Sequence, residues 1–288
     1  MLDRRTFLGT AGAVLLTGPS RLLAQNNRIQ TVGLQLYTVR DEMAKDFEGT
    51  LAKVAAIGYK EVEFAGYFNK TPKDVRAVLD RHGLTAPATH VDLKSLRESL
   101  PQVLDTAGII GHQYIVLPWL DDATLKEPDI WKRVADTLNT AAAAGTKSAV
   151  QAAYHNHHFE FAPVGGKLPY DILLERCDPA VKMELDLCWI TAAGKDPVEY
   201  FRRYPGRFPM VHVKDLKKIP AGPTPGALPI NQILPDVADV GSGTIDWKRI
   251  FAESKTAGIR HYFVEHDRPA RTFESLEASY KYLQALRF

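Results

Sequence analysis

The stretch TVGLQLY, residues 31–37, and the stretch FEGTLAKVAAIG, residues 47–58, form the first unit of the pattern that decides the fold. The first stretch is a short apolar run typical of a buried strand. The second places apolar residues at helical spacing and ends at Gly58, a residue that favours a helix terminus. A strand followed by a helix in this way predicts one βα unit.

The same pairing recurs to the end of the chain. We predict strands at residues 31–37, 60–64, 84–91, 113–117, 148–154, 181–187, 209–213 and 261–264. We predict helices at residues 47–57, 71–83, 95–109, 129–144, 170–176, 196–204, 245–257 and 272–286. Eight alternating pairs predict a single α/β domain, a (β/α)8 TIM barrel over residues 30–288. A doubly wound open sheet is the alternative, but no GxGxxG follows the first strand.

The first 24 residues predict a segment separate from the barrel. Arg4 and Arg5 precede Phe7-Leu8 and a short, small-residue apolar run, which Arg21 interrupts before Ala24. A positive start, an apolar middle and a small-residue end are typical of an export signal. The paired arginines resemble the twin-arginine motif, with a general secretory signal or a plain tail as alternatives. We therefore expect a twin-arginine export signal at residues 1–24 and a periplasmic location.

The charge of the remaining chain argues against some partners. The net charge of +2 belongs to residues 1–24, which hold three Arg and one Asp, so the rest is neutral. Nucleic-acid binding depends on Lys and Arg that neutralise phosphates, so we expect no nucleic-acid partner. We also expect no membrane association after signal removal, while assembly into a homo-oligomer is left open.

Ligand-type side chains follow the predicted strands. In a barrel, polar residues at the carboxyl ends of the strands face one shared mouth. The residues at these positions include Glu63, His90, Trp119, His155, His157, Glu184, Asp186, Trp189, His212, Lys214 and Glu265. Carboxylates and imidazoles packed together without a cation would repel each other or need shifted pKa values. The clustering predicts one divalent metal ion, and mixed nitrogen and oxygen ligands suit Mn, Zn, Co, Fe or Mg.

The motifs around these residues resemble those of the xylose-isomerase-like TIM-barrel superfamily, which includes the sugar phosphate isomerase/epimerase family. The resemblance spans about residues 30–287 and rests on six motifs. They are Val32–Tyr37, Tyr154-His155-Asn156-His157, Glu184-Leu185-Asp186, His212-Val213-Lys214-Asp215, Val240–Gly243 and Val264-Glu265. Inosose dehydratases and endonuclease IV belong to the same superfamily. The three-metal, His-rich mouth of endonuclease IV makes nuclease activity the least expected function.

The resemblance implies a set of metal ligands. Relatives usually supply a Glu, an Asp, a His and a Glu from strands 5 to 8, and Asp186, His212 and Glu265 occupy the last three positions. His155 stands where the first Glu is usual. Either His155 ligates the metal as an imidazole, or Glu160, five residues on, supplies the carboxylate.

The resemblance also implies roles for the other candidates. Glu265 and Glu160 are the expected acid and base, and Lys214 is expected to stabilise the developing oxyanion unless it pairs with Asp215. The expected substrate-binding residues, each of which has a packing or surface alternative, are Glu63, His90, Trp119, His157 and Trp189.

Three functions follow from this site. The first is a divalent-metal-dependent sugar isomerase or epimerase that moves a proton next to a carbonyl through an enediolate. The second is a lyase or dehydratase that acts on a keto-sugar or an oxidised glycoside, as inosose dehydratases do. The third is a non-catalytic sugar-binding barrel, which the His in place of Glu at position 155 would favour.

Overall fold

The computed structural model describes residues 27–222 and 225–288. The predicted export signal, residues 1–24, lies outside the described residues, so that interpretation stays a prediction. Within the described ranges, no helix combines the length and the apolar character needed to cross a bilayer.

The main sheet is a closed barrel of eight parallel strands. The strands of the protein are β1 (Gly33–Gln35), β2 (Glu61–Phe64), β3 (Thr85–His90), β4 (Tyr114–Leu117), β5 (Gln151–His155), β6 (Lys182–Asp186), β7 (Met210–Val213), β8 (Asp215–Leu216), β9 (Val237–Ala238) and β10 (His261–Val264). The barrel order is β1-β10-β7-β6-β5-β4-β3-β2, and β1 pairs with both β2 and β10, which closes the sheet. The predicted (β/α)8 barrel is confirmed.

Helices follow the strands and cover the outside of the barrel. They are α1 (Arg40–Lys45), α2 (Phe47–Ile57), α3 (Pro72–His82), α4 (Leu93–Glu98), α5 (Leu100–Ile110), α6 (Ile130–Gly145), α7 (Pro169–Arg176), α8 (Leu187–Ala192), α9 (Pro197–Arg203), α10 (Ile230–Ile233), α11 (Trp247–Ala252), α12 (Ser254–Ala257) and α13 (Thr272–Ala285). The boundaries of α3 show how local sequence sets where a helix begins and ends. The Thr71 side chain accepts the N–H of Asp74, Pro72 occupies the first turn, and Gly83 ends the helix in a left-handed conformation.

The structure corrects several predicted boundaries. The strand predicted at 31–37 ends at Gln35, whose side chain accepts the N–H of Tyr37 and starts a 3-10 turn at Leu36–Val39. The helix predicted at 95–109 is two helices, because Ser99 leaves helical geometry and Pro101 cannot donate to the preceding turn. The pattern did not reveal α8, which begins directly after β6 because Asp186 caps it.

Two apolar layers hold the barrel. A small cluster fills the barrel interior below the mouth, and its members are Ala88, Tyr114, Val116, Ala153, Met210 and Phe263. A much larger cluster lies between the strands and the helices. The polar side chains at the carboxyl ends of the strands therefore rest on a packed apolar floor.

The chain between residues 216 and 244, which holds only short elements, is anchored by one buried carboxylate. The Asp215 side chain, which is 1% exposed, accepts the N–H groups of Leu216, Gly241 and Ile245 and the indole N–H of Trp247, at 2.9–3.1 Å. These bonds attach the loop after β9 and the start of α11 to the end of the barrel at β8. A Cβ at Gly243 would lie 2.2 Å from Asp215 Oδ1, so the close approach requires glycine.

We expect Asp215→Asn to lower the free energy of unfolding by about 2–3 kcal/mol, because an amide nitrogen would face donors where a carboxylate oxygen accepted them. Urea unfolding followed by circular dichroism measures the change. Asp105→Asn, on the exposed surface of α5, is the matched control and is expected to leave stability unchanged. Equal stability of the two variants would contradict the anchoring role.

Candidate active site

A cavity of about 630 Å³ opens at the carboxyl ends of the barrel strands. Residues that end or follow several different strands line it, and they include Tyr37, His90, Trp119, His155, His157 and Glu265. The prediction that the strand ends converge on one mouth is confirmed for these residues. The cavity therefore marks the place where a small molecule would meet the predicted ligands.

The deepest part of the site is a group of three histidines around one carboxylate. Glu184 Oε2 lies 3.2 Å from His90 Nε2, from His155 Nδ1 and from His212 Nε2. These four residues offer one ligand atom each, and all four atoms lie within 4.8 Å of one another. We call His90, His155, Glu184 and His212 the inner group.

Glu63 adds a second carboxylate beside the inner group. Its Oε2 accepts a hydrogen bond from Gln35 Nε2 at 2.7 Å and lies 2.7 Å from His212 Nε2 and 3.4 Å from His90 Nε2. The side chain is fully buried, which excludes the alternative of an exposed strand-end residue. Glu63 thus contacts the histidines and does not border the cavity.

Closer to the rim, a second group shares the same histidine. His212 Nδ1 lies 2.9 Å from Glu265 Oε2 and 3.8 Å from Asp186 Oδ2. We call Asp186, His212 and Glu265 the outer group, and their ligand atoms also lie within 4.8 Å of one another. His155 Nε2 lies 3.9 Å from Asp186 Oδ2, so the four predicted ligands meet in one region.

Lys214 fills the space beside the outer carboxylates. Its Nζ lies 2.5 Å from Glu265 Oε2, 3.1 Å from Asp186 Oδ2 and 3.3 Å from Asp267 Oδ2. The side chain is 1% exposed and does not line the cavity. The alternative partner Asp215 is engaged elsewhere, so Lys214 is an internal counter-ion for three other carboxylates.

Burial and mutual charge shift the pKa values of the inner residues. Burial raises the pKa of Glu63 to about 7, and the nearby charge of Glu184 adds to this effect. Burial opposes ionisation of Glu184, but the charge of His212 and three histidine contacts hold its pKa well below the usual value. Burial would also lower the pKa of His212, yet Glu184 and Glu265 raise it well above the usual value. Burial lowers the pKa of His155 to about 3.

Burial and nearby charges also shift the pKa values of the outer residues, and Lys214 is the main cation there. Burial raises the pKa of Asp186 to about 6, although Lys214 opposes this shift. Burial disfavours the charged form of Glu265, but Lys214 and His212 together hold its pKa well below the usual value. Burial opposes the charge of Lys214, and Asp186, Asp267 and Glu265 raise its pKa well above the usual value.

The chemistry of these side chains fits a divalent metal ion. Two buried carboxylate oxygens in this cluster, Glu63 Oε1 and Glu184 Oε1, have no hydrogen-bond partner among the described residues. Buried polar atoms in folded proteins are normally paired, so two unpaired carboxylate oxygens beside three imidazoles fit a site that binds a cation. Imidazole and carboxylate donors together suit Zn, Mn, Co or Fe.

Glu160 lies outside both groups. Its carboxylate accepts a hydrogen bond from the Tyr154 hydroxyl at 2.7 Å and from the His157 N–H at 2.9 Å, and it is fully buried. Burial raises its pKa to about 8. Of the two alternatives for the fourth ligand, His155 lies in the cluster, whereas Glu160 holds the backbone at His157.

The two candidate aromatic platforms differ in position. Trp119 is 41% exposed, lines the cavity and packs edge-on against His157 with ring centroids 4.7 Å apart. Trp189 is fully buried, and Lys214 Nζ lies 4.9 Å from the centre of its ring. Trp119 is therefore available to a ligand, whereas Trp189 packs beneath Lys214.

Three residues of the site were given no role in the prediction, although Glu184 was already placed among the ligand-type residues of the mouth. Glu184 contacts three histidines, Gln35 holds Glu63, and Asp267 pairs with Lys214. Strand alternation carried a signal for Glu184, because side chains two residues apart face the same side and Asp186 was already assigned to the mouth. Gln35 and Asp267 carry no comparable local signal.

Comparison with known proteins agrees with this geometry. Residues 51–287 match the family described as "Xylose isomerase-like TIM barrel". An inosose dehydratase of Lacticaseibacillus casei is 25% identical over 85% of this chain and 91% of that protein. An inosose dehydratase of Geobacillus kaustophilus is also 25% identical, over 58% of this chain and 61% of that protein's length.

Solved structures support the same assignment. A sugar phosphate isomerase/epimerase from Parabacteroides distasonis is similar with a TM-score of 0.72 and 26% identity, covering 91% of this chain and 98% of the other. The structure described as IOLI protein with a binding zinc atom has a TM-score of 0.66 at 18% identity, over 87% and 95% of the two chains, and shows the shared fold. On these grounds the chain belongs to the xylose isomerase-like TIM barrel family.

Proposed function

We propose that this protein is a divalent-metal-dependent enzyme that removes a proton next to the carbonyl of a sugar or keto-sugar. The observation that carries this proposal is the position of Glu265, which borders the cavity directly beside the metal-type cluster. A carboxylate next to a bound carbonyl can act as a general base. A bound divalent ion would polarise that carbonyl and stabilise the negative charge of the enediolate.

Glu265 is held in a geometry that suits proton transfer. Its Oε2 contacts both Lys214 Nζ and His212 Nδ1, at 2.5 and 2.9 Å. Both contacts engage the same oxygen, so Oε1 is the oxygen available to a substrate. Because Lys214 and His212 fix the carboxylate, little reorganisation is needed when the proton is taken.

Elimination is the outcome that the site supports best. Glu265 takes the proton, and the electron pair of the broken C–H bond forms the carbon–carbon double bond of an enediolate. As the carbonyl forms again, the electron pair moves into a new double bond between the former C–H carbon and the carbon after it, and the C–O bond on that next carbon breaks. The released oxygen group takes the proton that Glu265 returns. One carboxylate on one face is enough for these steps. Epimerisation requires proton donors on both faces, and the usual second carboxylate is replaced by His155.

The inosose dehydratases similar to this chain favour elimination, since their name describes loss of water from a keto-sugar. Isomerisation is the second candidate. The same Glu265 could return the proton to the neighbouring carbon, and the similarity to a structure named sugar phosphate isomerase/epimerase favours that outcome. Both reactions pass through the same first step, so one experiment can separate them.

The cavity supports a sugar-like substrate. Trp119 and Tyr37, which are 41% and 43% exposed, offer flat apolar faces at the rim. His90 and His157 border the same cavity and offer ring nitrogens to hydroxyl groups. Sugars are commonly recognised by such a combination of apolar surface and a few polar groups.

The proposed function is tested by incubating the purified protein, supplied with Mn²⁺, with keto-sugars and 3-keto-glycosides in deuterated water. Elimination predicts release of water or of the aglycone, whereas isomerisation predicts deuterium on a carbon next to the carbonyl with the skeleton intact. Glu265→Gln is expected to lower the rate about 100- to 10,000-fold through loss of the base. Its metal content, measured in parallel, checks that the ion is retained.

Two outcomes would contradict the proposal. Exchange that is unaffected by Glu265→Gln would show that another group is the base. Binding of sugars without any exchange or product would instead indicate the non-catalytic sugar-binding barrel.

Trp119→Ala is expected to raise KM about tenfold with little change in kcat, because the loss of an aromatic face weakens ground-state binding. Steady-state kinetics on whichever substrate turns over measure both constants. Ile109→Ala, an equally exposed hydrophobic side chain away from the cavity, is the matched control. A change confined to kcat would contradict a binding role for Trp119.

We also propose that residues 1–24 direct the protein to the periplasm through the twin-arginine route. Replacing both Arg4 and Arg5 by Lys in the full chain is expected to retain the protein in the cytoplasm, because the paired arginines are the recognised feature. Cell fractionation measures the distribution. Unchanged export of the double variant, with the same amount of processed protein, would argue for the general secretory route.

A further inference from the structure

The two ligand groups cannot both bind a metal through His212 in its neutral form. The ring presents Nε2 to Glu63 and Glu184, at 2.7 and 3.2 Å, and Nδ1 to Glu265, at 2.9 Å, and a neutral imidazole has one nitrogen lone pair for a metal. The two ring nitrogens of His155 also face different groups, since Nδ1 lies toward Glu184 and Nε2 toward Asp186. The position of the ion is therefore a choice between the inner group and the outer group.

The inner group already has the spacing of a metal site. Ligands about 2.1 Å from a tetrahedral ion lie about 3.4 Å from one another. Glu184 Oε2 is 3.2 Å from each of the three imidazole nitrogens, so three edges of that tetrahedron are present. Glu184 Oε1, in a fully buried side chain, has no hydrogen-bond partner among residues 27–222 and 225–288, and the four ligand atoms of the inner group all lie within 4.8 Å of one another.

The outer group has a cation of its own. Lys214 Nζ contacts Asp186 and Glu265 within 3.1 Å and is fixed from the other side by Asp267 and the Trp189 ring. An ion placed between Asp186 and Glu265 would lie against this ammonium group, and two cations at that separation repel strongly in a buried site. The remaining edges are also wider, at 3.8 Å from Asp186 to His212 and 3.9 Å from Asp186 to His155.

We infer that the metal ion is bound by the inner group, through His90, His155, Glu184 and His212, and that Lys214 serves Asp186 and Glu265 as a permanent internal cation in place of the metal. This inference rests on the proposed function only in requiring that a metal is bound. It changes the ligand set that the sequence implies, because Asp186 and Glu265 are no longer ligands.

The assignment has a consequence for the second shell. When His212 ligates through Nε2, its Nδ1–H is directed to Glu265 Oε2 at 2.9 Å. A carboxylate that accepts the second N–H of a metal-bound histidine is the usual way to fix the ring. His90 and His155 also border the cavity, so an ion bound to them would be accessible to a substrate.

The test measures metal binding without any substrate. The full chain is stripped with a chelator, titrated with Co²⁺, and followed by visible absorption and by metal analysis of the protein. His90→Gln and Glu184→Gln are expected to weaken Co²⁺ binding at least tenfold and to change the visible spectrum. Asp186→Asn is expected to change the affinity less than threefold and to preserve the spectrum. Glu265→Gln removes the carboxylate that accepts the second N–H of His212, so it is expected to weaken Co²⁺ binding about tenfold while it preserves the spectrum. His158→Gln removes a buried imidazole that belongs to neither group and is the matched control.

Thermal unfolding of each metal-free variant identifies loss of folding, and His90→Gln, at the partly exposed end of β3, covers the case in which Glu184→Gln does not fold. Loss of Co²⁺ binding in the Asp186 variant, or a changed visible spectrum in the Glu265 variant, would overturn the inference but leave a metal-dependent function intact. If the wild-type chain binds no Co²⁺, the inference fails, and the deuterium experiment decides the proposed function separately.

Discussion

The burial of four carboxylates at one end of the barrel is the constraint on which the site depends. Glu63, Glu184, Asp186 and Glu265 are each at most 6% exposed, in a space where unpaired charge is costly. Two nitrogen-bearing side chains hold them together: His212 contacts Glu63, Glu184 and Glu265, and Lys214 contacts Asp186 and Glu265. Removing Lys214 would leave the buried charge of Asp186 and Glu265 uncompensated, which would destabilise this end of the barrel.

Strand register determines which of these groups meet. His155 pairs in register with Glu184 across β5 and β6, and Asp186 pairs with His212 across β6 and β7. Side chains two residues apart on β6 face the same side, so Glu184 and Asp186 occupy successive levels of the barrel interior. The inner and outer groups are these two levels, and His212 touches both because its two ring nitrogens point in opposite directions. A one-residue change of register would separate every one of these contacts.

The two levels carry different ligand atoms, and this difference explains how one site could combine a Lewis acid with a base. The deeper level is rich in imidazole nitrogen, which transition metals prefer, and the upper level is rich in carboxylate oxygen, which can accept a proton. Lys214 and His212 hold the pKa of Glu265 well below its usual value, while Asp215, the next residue along the chain after Lys214, anchors the loop that follows β7. The same short segment thus supplies a metal-type ligand, a counter-ion and a structural anchor.

The sequence by itself determined the barrel, because strand and helix periods are local properties that short windows display, as in residues 31–58 and at the Thr71–Gly83 boundaries of α3. It also determined which residues stand at the strand ends, and hence that His155, Asp186, His212 and Glu265 share a region. Only the tertiary structure decided the contacts across the barrel. Glu63 and His212 are 149 residues apart, and their 2.7 Å separation depends on closure of the whole sheet. The sequence also could not predict that Trp189 is buried, that Glu160 accepts a hydrogen bond from Tyr154, or which carboxylates contact Lys214. Periodicity assigns a side chain to a face of its strand, but distances between faces arise only when the strands are assembled.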